Sequence, residues 1–430
     1  MSVVRFPPRC QAGAAEANQR GRSNEAARTS GRMLDSCLAL INQEEAQLSR
    51  VLLFAAVLVL FAGSVAVAKA GPRQYTYRPV SISFVPGFST NGPELQNVSS
   101  SFSLNVIGGS IGGVRGAELG GVFNIDEGEV LGYQAAGVFN ILGGGFSGLQ
   151  QAGVFSIVGG GFVGVQQAGV INIVDGTFVG AQMAGVVNVV GGSFSGAQMA
   201  GVANVAGDGF SGAQLSGVVN VAGEQLSGAQ LAGVVNVAAE FSGAQIGLVN
   251  IAGAGHGLQL GLVNIADEAD VPIGLVSIVK NGPFHVNVWA NEFSPMNVGV
   301  KFGSKYIYNI FMAGWRPRGE SSMVFGGIGL GGHIPMKQFF VDIDLLSHGV
   351  FLGPDWFPEG GSDLLSSLRA TAGWQVMRVL AITAGPTASV WVSDHESGTN
   401  VPIYGAPFCH WYGSENVCIW PGFTVGLQLF

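Results

Sequence analysis

Between residues 105 and 280 this chain repeats itself with a period of sixteen, and that period limits the possible folds more than any local motif does. An amide column runs Asn124, Asn140, Ser156, Asn172, Asn188, Asn204, Asn220, Asn236, with serine in the third place. It continues at a spacing of fourteen through Asn250 and Asn264 and closes at Ser277. A glutamine column, from Gln134 to Gln259, and a glycine column, from Gly137 to Gly233, keep step with it. Roughly ten units fill the region.

Each unit holds two short segments. One is rich in β-branched residues, as in "AGVVNVA" (232–238), and the other reads "FSGAQMA" (194–200). Glycine or acidic pairs separate them, which is the pattern of strands punctuated by turns. With 69 glycines among 430 residues, helices are disfavoured, because glycine inside a helix costs about 1 kcal/mol relative to alanine. A unit this small cannot bury its own core, but stacked units can, as in a β-solenoid. Equivalent side chains in such a stack lie about 4.8 Å apart, so the asparagine column predicts a ladder of amide-to-amide hydrogen bonds. The glycines are expected where a corner needs positive φ or where layers approach closely. The alternative is that the repeats are hairpins of one larger barrel, although sixteen residues is short for a hairpin whose strands each need about 9–11 residues to span.

One feature of the units asks for a partner. In "GVVNVV", Val186, Asn188 and Val190 share a face while Val187 and Val189 share the other, so both faces are apolar. Whichever face turns outward carries an apolar stripe along the stack, to be covered by a partner, lipid or another part of the chain.

After Lys280 the period stops and longer alternating runs begin. Eight candidate strands follow, at 284–290, 296–303, 306–315, 322–334, 338–345, 367–376, 380–392 and 422–430. Val298, Val300 and Phe302 oppose Asn297, Gly299 and Lys301; Phe339, Val341 and Ile343 oppose Asp342 and Asp344; Leu368 and Trp374 oppose Arg369 and Thr371. Apolar residues outside and polar or oppositely charged ones inside are the pattern of a small transmembrane β-barrel. Eight strands leave an interior filled by side chains, so Lys301 and Arg369 are expected to neutralise Asp342 and Asp344 there, with no pore. A soluble antiparallel barrel or sandwich would also alternate, hiding its apolar face. Short connectors ("GSK", "PMK", "MR") alternate with longer ones ("NEFSP", "RPRGES", 346–363, 393–421). Outer-membrane barrels place short turns on the periplasmic side, which puts both barrel ends and the junction with the repeats there.

Ahead of the repeats, Arg50 precedes the apolar run "VLLFAAVLVLFAGSVAVA", which ends in Ala68-Lys69-Ala70. A positive flank, an apolar stretch and a small-x-small site read as a secretory signal peptide cleaved after Ala70; the run is also nearly long enough for a transmembrane anchor. Residues 1–49 are unusual for a signal region, and Met33 is an alternative start. Cleavage removes Cys10 and Cys37 and leaves Cys409 and Cys418, which in an exported protein predict a loop disulfide. A metal site there would have only His410 at hand.

Two resemblances follow from these motifs. The terminal "TVGLQLF" resembles the C-terminal signal of outer-membrane barrels, although Gly426 and Gln428 depart from its full pattern. Such a signal implies the barrel-assembly machinery and outer-membrane lipid as partners. The repeats, with "PIGLVSIVKNG" and "NVGVKFGSKYIYNI", resemble the surface-repeat-containing proteins of Gram-negative bacteria over about residues 100–315. That resemblance implies location and architecture, not an activity.

Chemistry is sparse. No Lys or Arg occurs between Arg115 and Lys280, while acids recur, so a nucleic-acid partner is excluded for want of cations to replace counterions. The G-x-G-x-x-G matches at Gly327, Gly329, Gly332 and at Gly143, Gly145, Gly148 carry little weight in so glycine-rich a chain. "GDGF" and "VDGTF" lack the recurring aspartate of calcium-binding coils and read as solvated turns. His395 and Ser397 resemble the His-x-Ser pair at the rim of outer-membrane lipid A deacylases, without the asparagine that follows in that family.

The expected architecture is therefore all-β. A removed N-terminal extension and signal peptide (1–70) and a lead-in (71–104) precede the repeats (105–280), which form a glycine-rich β-solenoid-like segment. An eight-stranded antiparallel β-barrel (281–430) follows. The expected role is a non-enzymatic, structural or adhesive outer-membrane protein without cofactor or metal. The alternatives are a lipid-modifying outer-membrane enzyme using His395 and Ser397, or a soluble secreted repeat protein that binds a partner through its valine stripe.

Overall fold

The computed structural model describes residues 74–318, 321–352, 363–393, 408–412 and 415–430. It is a parallel β-solenoid of about eleven turns joined to a closed eight-stranded antiparallel barrel.

Each sixteen-residue coil carries a four-residue and a seven-residue strand, which pair in parallel and in register with their counterparts in the coils before and after. Phe178–Ala184 lies on Phe194–Ala200 with Gln182 opposite Gln198, and Val187–Val190 lies on Ala203–Ala206 with Asn188 opposite Asn204. Parallel pairing rules out the hairpin alternative, since hairpins pair antiparallel. The stack begins within the lead-in, where Thr76–Val85 pairs in parallel with Val98–Asn105. Towards the barrel the turn between the two strands is lost, and the coils become continuous strands such as Val249–Leu260.

Four positions per coil fill the interior. In one coil they are Asn188, Val190, Phe194 and Gln198, all at or below 2% exposure. The phenylalanines Phe146 to Phe210 form a column of parallel rings with centroids 4.7–4.9 Å apart. That spacing is the strand separation itself, so offset stacking is a by-product of register.

Glycine serves two separate needs. Gly212, in the middle of the longer strand, sits at φ +125°, a conformation L side chains rarely adopt. The corner glycine Gly201 is not at positive φ; a Cβ there would fall on the carbonyl oxygen of Gly185 in the coil before. Close approach governs the corner, and positive φ belongs to the strand.

The barrel strands are Phe284–Asn291, Met296–Gly303, Ile307–Arg318, Ser321–Met336, Phe339–Leu352, Asp363–Met377, Leu380–Ser393 and Glu415–Leu429. The first closes on the last, with Val286 opposite Leu429. Parts of three expected connectors are strand: residues 346–352 of 346–363 continue Phe339–Leu352, and the last strand begins at Glu415 within 393–421. In "RPRGES", Pro317 and Arg318 pair with Ser322 and Ser321, and Phe408–Tyr412 forms an outer hairpin with the last strand. The proline and charges of "RPRGES" read as a turn, but an available neighbouring edge extends the ladder through Pro317 and Arg318.

Candidate functional site

The solenoid interior holds two amide ladders of opposite polarity. On the glutamine side each Nε2 donates to the Oε1 of the coil before it, from Gln259 to Gln134, at 2.7–2.9 Å. On the asparagine side each Nδ2 donates to the coil after it: Asn124 to Asn140, then Asn172 through Asn188, Asn204, Asn220, Asn236 and Asn250 to Asn264, at 2.9–3.1 Å. The second amide hydrogen explains the direction. Asn188 Nδ2 also reaches the Met199 carbonyl at 2.7 Å, which turns its Oδ1 towards the coil before. Each ladder aligns its amide dipoles along the stack, and because the two run in opposite directions side by side their dipoles oppose each other.

The ladders have defined breaks. Ser156 interrupts the asparagine run, leaving its own Oγ and Asn172 Oδ1 buried without a partner. Pro272 stands opposite Gln259 and ends the glutamine run, leaving Gln259 Oε1 unpaired. At the opposite end Gln134 Nε2 donates to two buried carboxyls, Glu118 Oε2 at 2.8 Å and Asp126 Oδ2 at 2.5 Å. Burial pushes both carboxyls above their ordinary values, Asp126 the further because the charge of Glu118 adds to it. The protonated form is thus favoured at both carboxyls, more strongly at Asp126. Sequence reasoning missed this pair, although its signal is present. Glu118 lies sixteen residues before Gln134, and Asp126 sixteen before the buried Leu142.

The barrel lumen is packed and charged. Lys301 Nζ meets Asp342 at 2.6 Å, and Arg369 meets Asp344 at 2.7 Å. Tyr308 donates to Asp344 at 2.6 Å and accepts from Lys301, while Arg369 lies 4.6 Å from the Trp289 ring centroid. A cavity of about 220 Å³ opens at the short-turn end, lined by His285, Lys305 and His333 together with the Lys301–Asp342 pair. His333 Nδ1 contacts Asp342 at 2.7 Å. A base held by a carboxylate suggests hydrolysis, but the hydroxyl beside it, Tyr308, is already committed to Asp344. This arrangement neutralises buried charge. Towards the other end, Glu292 folds inward and accepts from Thr387, Ser389 and Trp420, and Phe293 packs against Phe325.

The expected disulfide joins Cys409 and Cys418, directly opposite each other across the outer hairpin. His395, Ser397 and residues 1–70 lie outside the described residues. Among the described residues no group of three His, Cys, Asp or Glu side chains could hold a metal ion.

Asn309 joins the two parts. It lies on the outward side of the strand Ile307–Arg318, in line with Phe311, yet is only 3% exposed because the last coil covers it. Its Oδ1 accepts the Ser277 N–H at 2.8 Å, and its Nδ2 donates to the Gly274 carbonyl at 2.8 Å. Ser277 also accepts from Asn264, so the asparagine ladder runs into the barrel wall. Comparison with protein-family models, with curated proteins and with solved structures finds no match, and the functional reading rests on this geometry.

Proposed function

We propose that this chain is a non-enzymatic envelope protein in which an outer-membrane barrel anchors a rigid β-solenoid rod for structural or adhesive work. The observation that carries this is the inversion of the barrel. Its outward side chains are apolar, as with Leu345 at 61% exposure and Trp374 at 50%, while its charges are buried and paired inside. A soluble barrel would hide the first set and expose the second, whereas lipid favours this arrangement. The rod suits a structural role, because its interior is uniform and its amide ladders tie each coil to the next. Short turns at 304–306, 337–338 and 378–379 share one barrel end with the rod, which on the rule for such barrels is the periplasmic end.

The test is gel mobility of unheated and boiled outer-membrane fractions, followed by proteolysis of intact cells. A heat-dependent mobility shift with the rod protected until the membrane is opened is the expected result. Recovery as a soluble protein with no shift would sink the reading.

A further inference from the structure

The barrel's outer belt is not the only apolar surface. At the corner where each seven-residue strand turns into the next four-residue strand, the outward side chains are apolar in coil after coil. Met199, Leu215 and Leu231 lie on one side of the corner; Val202, Val218 and Leu248 lie on the other. All six are 37–53% exposed, and small residues such as Ala200 and Gly201 lie between them. A shallow groove of about 720 Å³ follows this corner along the stack. The acids Asp175, Asp208, Glu224 and Glu240 lie at the opposite corner, between the two strands of a coil. The rod is thus amphipathic along its length of roughly 50 Å, taking about 4.8 Å per coil.

The junction with the barrel orients this rod. In a solenoid the strand N–H and C=O groups point along the stacking axis. The groups of the last coil that meet the barrel, Ser277 N–H and the Gly274 carbonyl, point into the outward side chain of Asn309. The rod axis therefore runs along the outward normal of the barrel wall, which for a spanning barrel lies in the plane of the membrane. Rotation about that axis is set by a second contact. Ser304, in the short turn, donates to the carbonyl of Asp270 in the acidic turn of the last coil at 2.8 Å. The apolar corner at Gly274 and Leu275 lies five residues further up the wall, at Asn309. The next outward side chain above it is the lipid-facing Phe311, two residues and about 7 Å on. The acidic corner thus points to water and the apolar corner to the bilayer. The valines of this corner also give way to larger leucines, Leu248, Leu262 and Leu275, in the coils nearest the barrel.

We infer that the solenoid lies flat against the short-turn side of the membrane that holds the barrel, with its apolar corner immersed in the lipid interface. The occupant of the corner is phospholipid, and the rod is a peripheral membrane element continuous with the barrel's lipid belt. The inference rests on the reading of the barrel as membrane-spanning.

The test uses full-length protein reconstituted in phosphatidylcholine vesicles, in a background with Cys10 and Cys37 replaced by serine. Spin labels are placed one at a time at V202C, L248C, D208C and the barrel position L345C. Collision with oxygen, which partitions into lipid, is compared with collision with a water-soluble nickel chelate. The expected result is a lipid-type ratio at V202C, L248C and L345C and a water-type ratio at D208C. A lipid-type ratio at L345C with water-type ratios at V202C and L248C would overturn the inference and leave the barrel reading intact. A water-type ratio at L345C as well would overturn the barrel reading itself. Dipolar broadening at V202C that vanishes on dilution with unlabelled protein would assign the corner to a second copy of this chain and also overturn the inference.

Discussion

Single residues decide where this stack is strong and where it is not. Ser156 stands in the asparagine column with its Oγ and Asn172 Oδ1 unpaired, and every buried group left without a partner costs about 1–3 kcal/mol. S156N restores the donor and acceptor found in the neighbouring coils, so it is expected to raise solenoid stability by about 1 kcal/mol, read as a higher urea midpoint at unchanged slope. Glu118 and Asp126 act in the other direction. Their folded-state values lie above those of the unfolded chain. The pair's contribution is therefore complete only well below the unfolded values of about 4, where both carboxyls are protonated in either state, and is lost as pH rises through the raised folded values. E118Q removes one of the two acids and lets the glutamine Oε1 accept from Gln134 as in the coils beyond, while giving up the hydrogen bond that Glu118 accepts from Asn105. Its expected outcome is higher stability than the parent at pH 8 and a flatter stability profile between pH 5 and 9, measured by denaturation across that range.

At the scale of the element, the coil is the unit of folding. Each contacts only the coils before and after, so stability sums over coils and their interfaces. Removing residues 191–206, one complete period, brings Val190 to Gly207 and rejoins every column in register. This variant is expected to fold with a modest loss of thermal midpoint, whereas removing eight residues sets amides against apolar columns and abolishes the cooperative transition in circular dichroism. Barrel strands follow a different rule. Their two-residue alternation was legible from the order of residues along each run, and the observed strands contain or closely match the expected runs. Their upper ends were not legible. Pro317 and Arg318 are turn-like by type and become strand because an edge is available to them, whereas Phe408–Tyr412 is strand-like in residue type but too short to stand out inside a long connector.

At the scale of the whole molecule, the contact at Asn309 decides whether rod and barrel move as one body. Asn309 answers one N–H and two carbonyls of the last coil, leaving that edge satisfied where it would otherwise face the wall unpaired. N309A removes all three hydrogen bonds while leaving both parts able to form. Spin labels on Ser211 and Leu345 are expected to report one narrow distance distribution in the parent and a broad one in N309A. A narrow distribution in both would mean that the remaining contacts suffice to hold the rod.

The sequence by itself determined the period, the inward columns and the order of rod and barrel, because all three follow from side-chain spacing along one strand direction. It also placed Lys301, Arg369, Asp342 and Asp344 on the inner face, since alternation assigns a face without a partner. Only the tertiary structure decided the polarity of the ladders, because an amide column can donate either way until a neighbouring carbonyl, such as that of Met199 for Asn188, takes one of its hydrogens. Only the tertiary structure turned the rod against the barrel, through an asparagine that alternation would have placed on an ordinary outward face. Direction and docking depend on groups brought together from distant parts of the chain, and no spacing within one repeat carries that information.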